Sequence, residues 1–294
     1  LRRMSAGGLS EPRLVTSGTR IGPAILKVLR KKVLESAVEV FTGEAVKSIG
    51  VADDGRFHIS TGRSRFTSHA VIVATGGRSF EYARDLGLET SNPANNNGSM
   101  RQLLAELGLV ERDADVFQFH PYGVVARDGS ASGKTVPESV VSLGGFVADR
   151  DRRPLVDPTA DRAAVVSAMR ACIDDGAGLV LGGAPACRLV MESVDETELA
   201  ARYPHLERQI GHARLPDGDV PVRPVVHYQL GGFDVAPDGA TPIDGIYLAG
   251  EITGGLHGRN RLMGNGITEA VVDGWAAGRA AVSRLGQASV SRSD

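Results

Sequence analysis

Two short apolar runs that stop on glycine constrain this chain more than any other feature in it. The first, Ala70-Val71-Ile72-Val73-Ala74, is rich in β-branched residues and runs into Thr75-Gly76-Gly77. The second, Ile246-Tyr247-Leu248-Ala249, sits between Gly245 and Gly250. Continuous apolar runs without polar alternation belong to strands buried on both faces, the habit of parallel sheets. Parallel strands need crossover connections, and they leave bare backbone at the carboxyl edge, where α/β folds take their ligands. The chain has 37 Gly against 14 Pro in 294 residues, which suits an α/β fold with many close backbone approaches rather than a helical bundle.

The rest of the pattern organises itself around those runs. Residues 21–34 place Ile21, Ile25, Val28, Leu29 and Val33 at helical period and gather Lys and Arg toward the end, which predicts a helix. Residues 38–42, 45–51, 56–61 and 64–67 read as strands of a small antiparallel meander, punctuated by Asp53-Asp54-Gly55 and Thr61-Gly62. Residues 1–18 read as loop. A helix is expected at 98–107 and a strand ending at Phe119. The texture changes over 122–225, with a short strand at 145–148, an amphipathic helix at 163–174 and acidic or Pro-containing connections. From His227 the strand-and-turn texture returns, and a closing helix is expected at 268–285. The reading is a discontinuous α/β domain, 1–116 plus 226–294, with an α+β domain inserted at 117–225.

Composition removes several classes of function. With 33 basic against 35 acidic residues the net charge is −2, so no basic field exists to meet phosphate, and nucleic acid is not an expected partner. No apolar run approaches the length of a membrane span, and the start of the chain has no signal-peptide apolar region. Cys172 and Cys187 make neither a disulfide framework nor zinc spacing. They read as small buried hydrophobes in a reduced, cytoplasmic protein, and no metal site is expected.

Chemistry concentrates after the second run. Glu251 follows it directly, placed to accept hydrogen bonds from ligand hydroxyls. The stretch from Gly255 to Gly266, dense in Gly, Asn, His and Arg, then feeds straight into the closing helix. Such a loop offers backbone N–H groups and the positive end of a helix dipole to an anion or an electron-rich ring. It would be wasteful as packing alone.

These residues carry a family resemblance. Leu248-Ala249-Gly250-Glu251, His257-Gly258-Arg259-Asn260-Arg261-Leu262 and Asn265 resemble the carboxyl-terminal flavin signature of the fumarate reductase, succinate dehydrogenase and L-aspartate oxidase flavoproteins. Val73-Ala74-Thr75-Gly76-Gly77 resembles their adenine-side strand, Phe117-Gln118-Phe119-His120-Pro121 the start of their capping domain, and His227-Tyr228-Gln229-Leu230-Gly231-Gly232 their substrate-binding block. The likeness runs from about Gly7 to Gly278. It implies an FAD/NAD(P)-binding, Rossmann-like domain with an inserted capping domain that closes over the flavin. The activity it implies is an FAD-dependent oxidoreductase that moves hydride between flavin N5 and one carbon of a carboxylate substrate, fumarate- or succinate-like or larger. Carried over residue by residue, Thr75, Gly76, Gly77, Glu251, Asn260, Gly264, Asn265, Gly266 and Ile267 would bind cofactor. His120, His227 and Arg261 would bind substrate carboxylate. Arg162 would handle the proton, with Glu138 as its relay. The electron donor or acceptor is not specified by the resemblance.

The chain also departs from that family. The relay segment reads Pro137-Glu138-Ser139-Val140-Val141, with proline for a substrate-binding threonine and Val141 for a relay arginine; Ala163 stands for the usual Asp and Tyr122 for the usual Thr. Placing the proton arginine on Arg162 requires a one-residue slip, and the other reading of Arg162 is an exposed arginine at a helix start. The G-x-G-x-x-G turn that takes the FAD pyrophosphate is not found; Gly7-Gly8 and Gly18 to Gly22 do not follow a buried strand. The expectation is therefore an amino-terminally incomplete FAD domain. The alternative is a truncated or non-catalytic remnant, or a subunit whose FAD site another chain completes.

Overall fold

A computed structural model describes residues 2–4, 10–16 and 21–290. Gly7-Gly8 and Gly18 to Arg20 lie outside the described residues. The chain divides into two compact units, one of Leu1–Lys32, Tyr82–Ala94 and Gln118–His227, the other of Val33–Glu81, Asn95–Phe117 and Tyr228–Asp294. The inserted stretch read as 117–225 corresponds to the Gln118–His227 part of the first unit, which also takes in residues 1–32 and 82–94.

The first unit is built on an antiparallel sheet in the order Phe146–Ala148, Ala184–Val190, Val220–Gln229, Phe117–Val125, Ala131–Thr135, with Leu179–Leu181 pairing onto Ala184–Val190. Register pairs Phe146 with Val190 and Cys187 with Val222. The amphipathic helix Arg162–Asp174 turns Val165, Met169 and Cys172 into a core shared with Val124, Val147, Leu189, Val220 and Val222. Its start is set by Asp161, whose side chain accepts from the Ala164 N–H at 2.9 Å. The helix Ile21–Leu34 forms as its period predicts. Residues 1–18 are not all loop: Arg2–Met4 pairs antiparallel with Leu14–Thr16.

The second unit joins the two glycine-ended runs as a parallel pair, Val71–Val73 beside Ile246–Leu248, with Val73 opposite Leu248. Val73, Ile246 and Leu248 pack with Ile49, Phe57, Leu104 and Phe233 in one cluster. On the other face Tyr247 and Ala249 meet Ala277 and Ala281 of the closing helix, Asn265–Val290. The second run is buried on both faces, but the first is not. Ile72 keeps 42% of its surface exposed, whereas its neighbour across the pair, Tyr247, is covered by Ala277 and Ala281. The meander is present as Val46–Val51, Phe57–Thr61 and Arg65–Ser68. Residues 38–42 form no strand: among the described residues nothing pairs with them, and Val38, Val40 and Phe41 are exposed. Alternating pattern without a partner does not make a strand.

Candidate active site

In the first unit the sheet and the Arg162 helix bring four polar side chains into the apolar interior. Gln118 and His120 share one face of the strand Phe117–Val125 by its period of two. Both are buried, as are Glu138 at the start of the 3₁₀ turn Glu138–Leu143 and Arg162 at the start of its helix. Arg162 Nη2 lies 2.6 Å from Glu138 Oε1. Its Nη1 donates to Gln118 Oε1. The same Glu138 oxygen lies 3.4 Å from His120 Nε2. The Tyr122 N–H donates to His120 Nδ1 at 3.1 Å, so Nδ1 is an acceptor and the ring proton sits on Nε2, facing the carboxylate. Arg162 is thus not an exposed helix-start arginine. Its Nε is buried without a hydrogen-bond partner among the described residues, an unsatisfied donor that a native interior rarely tolerates.

His227, half-buried on the strand Val220–Gln229, stands edge-on to His120 with ring centroids 5.1 Å apart. Its Nδ1 shares a 2.7 Å hydrogen bond with Ser91 Oγ, and its carbonyl accepts from Asn92 Nδ2 at 2.8 Å. Burial, with the Glu138 carboxylate close by, pushes the Tyr122 phenol above its ordinary range.

In the second unit Gly77 and Glu251 meet at the carboxyl ends of the two parallel strands. A Cβ on Gly77 would stand 2.7 Å from Glu251 Oε1, closer than real Cβ contacts, so only glycine lets that carboxylate settle against the strand end. Glu251 Oε1 accepts from the Gln229 N–H at 2.8 Å. Burial raises the Glu251 carboxyl above its usual value, and the hydrogen bonds from the backbone of Gln229 and Gly77 oppose that rise. Gln229 also accepts from the Arg78 N–H and from Arg101 Nη1, each at 3.1 Å, which ties the loop after Gly77 to Gln229. Thr75 is exposed and Gly76 half-buried, both at the same strand end. Asn260 and Gly264 are half-buried in the Gly-rich loop, while Asn265, Gly266 and Ile267 form the start of the closing helix, with Asn265 and Ile267 exposed. Arg261 is buried, its guanidinium 4.3 Å from the centroid of the Tyr228 ring.

Thr75, Gly76, Gly77, Glu251, Asn260, Arg261, Gly264, Asn265, Gly266 and Ile267 therefore fall in the second unit. His120, His227, Glu138 and Arg162 fall in the first. The cradle at Gly77 and Glu251, buried glycine backbone beside a carboxylate at the edge of a parallel pair, fits the hydroxyls of a nucleotide cofactor. A match to the FAD binding domain family covers residues 2–267. The chain belongs to this family. Its cofactor is FAD.

Two kinds of relative accompany this FAD-binding domain. L-aspartate oxidase of Pyrococcus abyssi is 30% identical over 271 residues, covering 91% of this chain and 54% of that protein. L-aspartate oxidase of Mycobacterium tuberculosis is 30% identical over 301 residues, covering 97% of this chain and 54% of the relative. Among solved structures, a quinol–fumarate reductase with menaquinol superposes with a TM-score of 0.85 at 22% identity, covering 98% of this chain and 53% of that one. That likeness shows the fold. The chain spans about half the length of the curated relatives it matches. Among the described residues no helix is long and apolar enough to cross a membrane, and no group of His, Cys, Asp or Glu is arranged to hold a metal.

Sequence reasoning missed several members of these clusters. Gln118 was readable from strand alternation, because it shares parity with His120. Gln229 lies within the substrate-binding block but was given no role there, and Glu269 carries no local signal. Each is identified by partners distant in the chain, such as Arg78 and Arg101 for Gln229 and His257 for Glu269.

Proposed function

We propose that this chain is the FAD- and substrate-binding part of an oxidoreductase acting on a small carboxylate at a C–C or C–N single or double bond. The observation that carries the reading is Arg162, buried beside Glu138 with a spare Nε donor. A buried guanidinium with an unfilled donor suits an anionic or proton-accepting ligand. The name of the curated relatives, L-aspartate oxidase, supports a dicarboxylic amino acid or a similar dicarboxylate as the class.

When bound, FAD supplies the two-electron chemistry, as cofactors in general carry the redox step. Glu251, with Thr75, Gly76 and Gly77, would hold its sugar hydroxyls. Asn260, Gly264, Asn265, Gly266 and Ile267 would hold the ring end through backbone donors at the helix start. The chain's own residues then handle charge and protons. His120 and His227, neighbours in the first unit, bind carboxylate oxygens, and Arg261, in the second unit, is a carboxylate-binding residue by the family resemblance. Arg162 transfers a proton at the substrate carbon next to the one that changes hydride content. A guanidinium is a very weak acid, so it acts only in step with a partner. Glu138, 2.6 Å from Nη2, is that partner, and His120 Nε2 stands 3.4 Å from the same oxygen. In the reducing direction Arg162 gives its proton to carbon and regains one through Glu138; in the oxidising direction the path reverses.

The test is the absorbance of the full chain with FAD added, followed by anaerobic mixing with succinate or L-aspartate. A flavin spectrum that bleaches supports the proposal. Its bleaching should be lost in Arg162→Lys while the oxidised spectrum persists. A chain that takes up no FAD, or an Arg162→Lys protein that bleaches as fast as wild type, ends the proposal.

A further inference from the structure

The second unit buries a carboxylate that this chemistry leaves unused. Glu269, one helical turn beyond Asn265 on the closing helix, is 4% exposed. Its Oε2 accepts the Tyr228 hydroxyl and lies 3.1 Å from His257 Nε2. An oxygen already accepting the phenol hydrogen takes its second hydrogen from the imidazole, so His257 is held as the Nε2–H tautomer. Tyr228 in turn is the plate under Arg261, 4.3 Å from ring centroid to guanidinium carbon. His257 stands edge-on to the same ring at 5.9 Å. Gly266 closes the other approach: a Cβ there would lie 2.9 Å from Tyr228 Cε2. Burial and the neighbouring Glu269 carboxylate push the phenol upward, so it remains a donor through neutral pH.

We infer that Glu269 is a positioning residue for carboxylate capture. By gathering the Tyr228 hydroxyl and His257 on one oxygen, it fixes the ring against which Arg261 lies, and so sets where that guanidinium presents its donors. The inference rests on the reading of Arg261 as a carboxylate ligand. An arginine left to find its own rotamer would pay its ordering entropy at each binding event.

The experiment uses the full chain with FAD added. Malonate is the dicarboxylate probe, read by the perturbation of the flavin spectrum, and ¹⁵N NMR reports the histidine tautomers of the same samples. Glu269→Gln keeps the volume, Glu269→Ala removes the group, and Glu269→Asp is the conservative rescue. The expected result is malonate binding weakened about 3- to 10-fold in E269Q and E269A, the cost of immobilising one long side chain. E269D should recover part of the loss, and E269A should lose the Nε2–H signature of His257. Tyr228→Phe should lose as much as E269A, and the Y228F/E269A double variant no more than either single one, because both break the phenol–carboxylate bond. Should E269A fail to fold, E269Q and Y228F carry the comparison. Unchanged malonate binding in E269Q and Y228F, beside a clear loss in Arg261→Lys, overturns the role of Glu269 alone. Wild-type and R261K proteins that respond to malonate equally, or not at all, overturn the carboxylate reading of Arg261 and this inference with it.

Discussion

Arg162 and Glu138 form a buried ion pair at 2.6 Å, contributed by the start of a helix and the start of a 3₁₀ turn that lie 24 positions apart in the sequence (162 − 138). Removing one partner of such a pair leaves a charge in an apolar interior, at a cost of about 3–5 kcal/mol. Arg162→Ala should therefore lower unfolding stability by that order, and Arg162→Ala combined with Glu138→Ala by less than the sum of the singles. Urea unfolding of the three variants measures this; additive losses would show that the two groups do not interact.

Catalysis should separate from stability at the same pair. Glu138→Gln keeps the shape and a hydrogen-bond acceptor but removes the carboxylate proposed to return the proton. Turnover should fall by about 10²- to 10⁴-fold, the usual worth of a positioned proton-transfer group, with the flavin spectrum unchanged. Stopped-flow bleaching of wild type and E138Q decides it, and equal rates would remove Glu138 from the relay.

Gly77→Ala places a methyl where only 2.7 Å separates it from Glu251 Oε1. The carboxylate must shift, and overpacking of this kind costs about 1–3 kcal/mol. FAD affinity, followed by quenching of flavin fluorescence, should fall, whereas Gly62→Ala, with nothing within 4 Å of the added carbon, should leave it unchanged.

Glu251 gives the chain a pH dependence of known sign. Burial raises its carboxyl above the unfolded value of about 4.3. Between the unfolded and folded values the native state holds more protons, so stability falls as pH rises through that window and stays lower above it. Glu251→Gln removes the fall. The stability difference, wild type minus E251Q, should therefore decline from pH 4 upward in urea unfolding; a flat or rising difference would contradict the buried-carboxyl account.

Cys172 and Cys187 are both buried in the first unit's core, and burial pushes both thiols upward. The thiolate is the reactive form, so a disulfide reagent such as DTNB should label the folded chain slowly and label both thiols at once in denaturant. Rapid labelling under native conditions would show that this core opens.

Much of this protein was legible before any coordinates. Hydrophobic period and glycine punctuation are local properties, so they located the two parallel strands, the meander from Val46 onward, the helix Arg162–Asp174 and the closing helix, and the spacing of the flavin blocks pointed to the family. What local pattern could not supply was the set of partners. Residues 38–42 alternate like a strand yet stay irregular because nothing pairs with them, and Ile72, in an apolar run, is still 42% exposed. Arg162 reads equally well as a surface cap or a buried acid until Glu138 and Gln118 are seen around it. Glu269 has no meaning in sequence until Tyr228 and His257 converge on its oxygen. Main-chain geometry follows from neighbours a few residues away, whereas the environment of a buried charge is assembled from residues dozens or hundreds of positions apart, and only the folded chain brings them together.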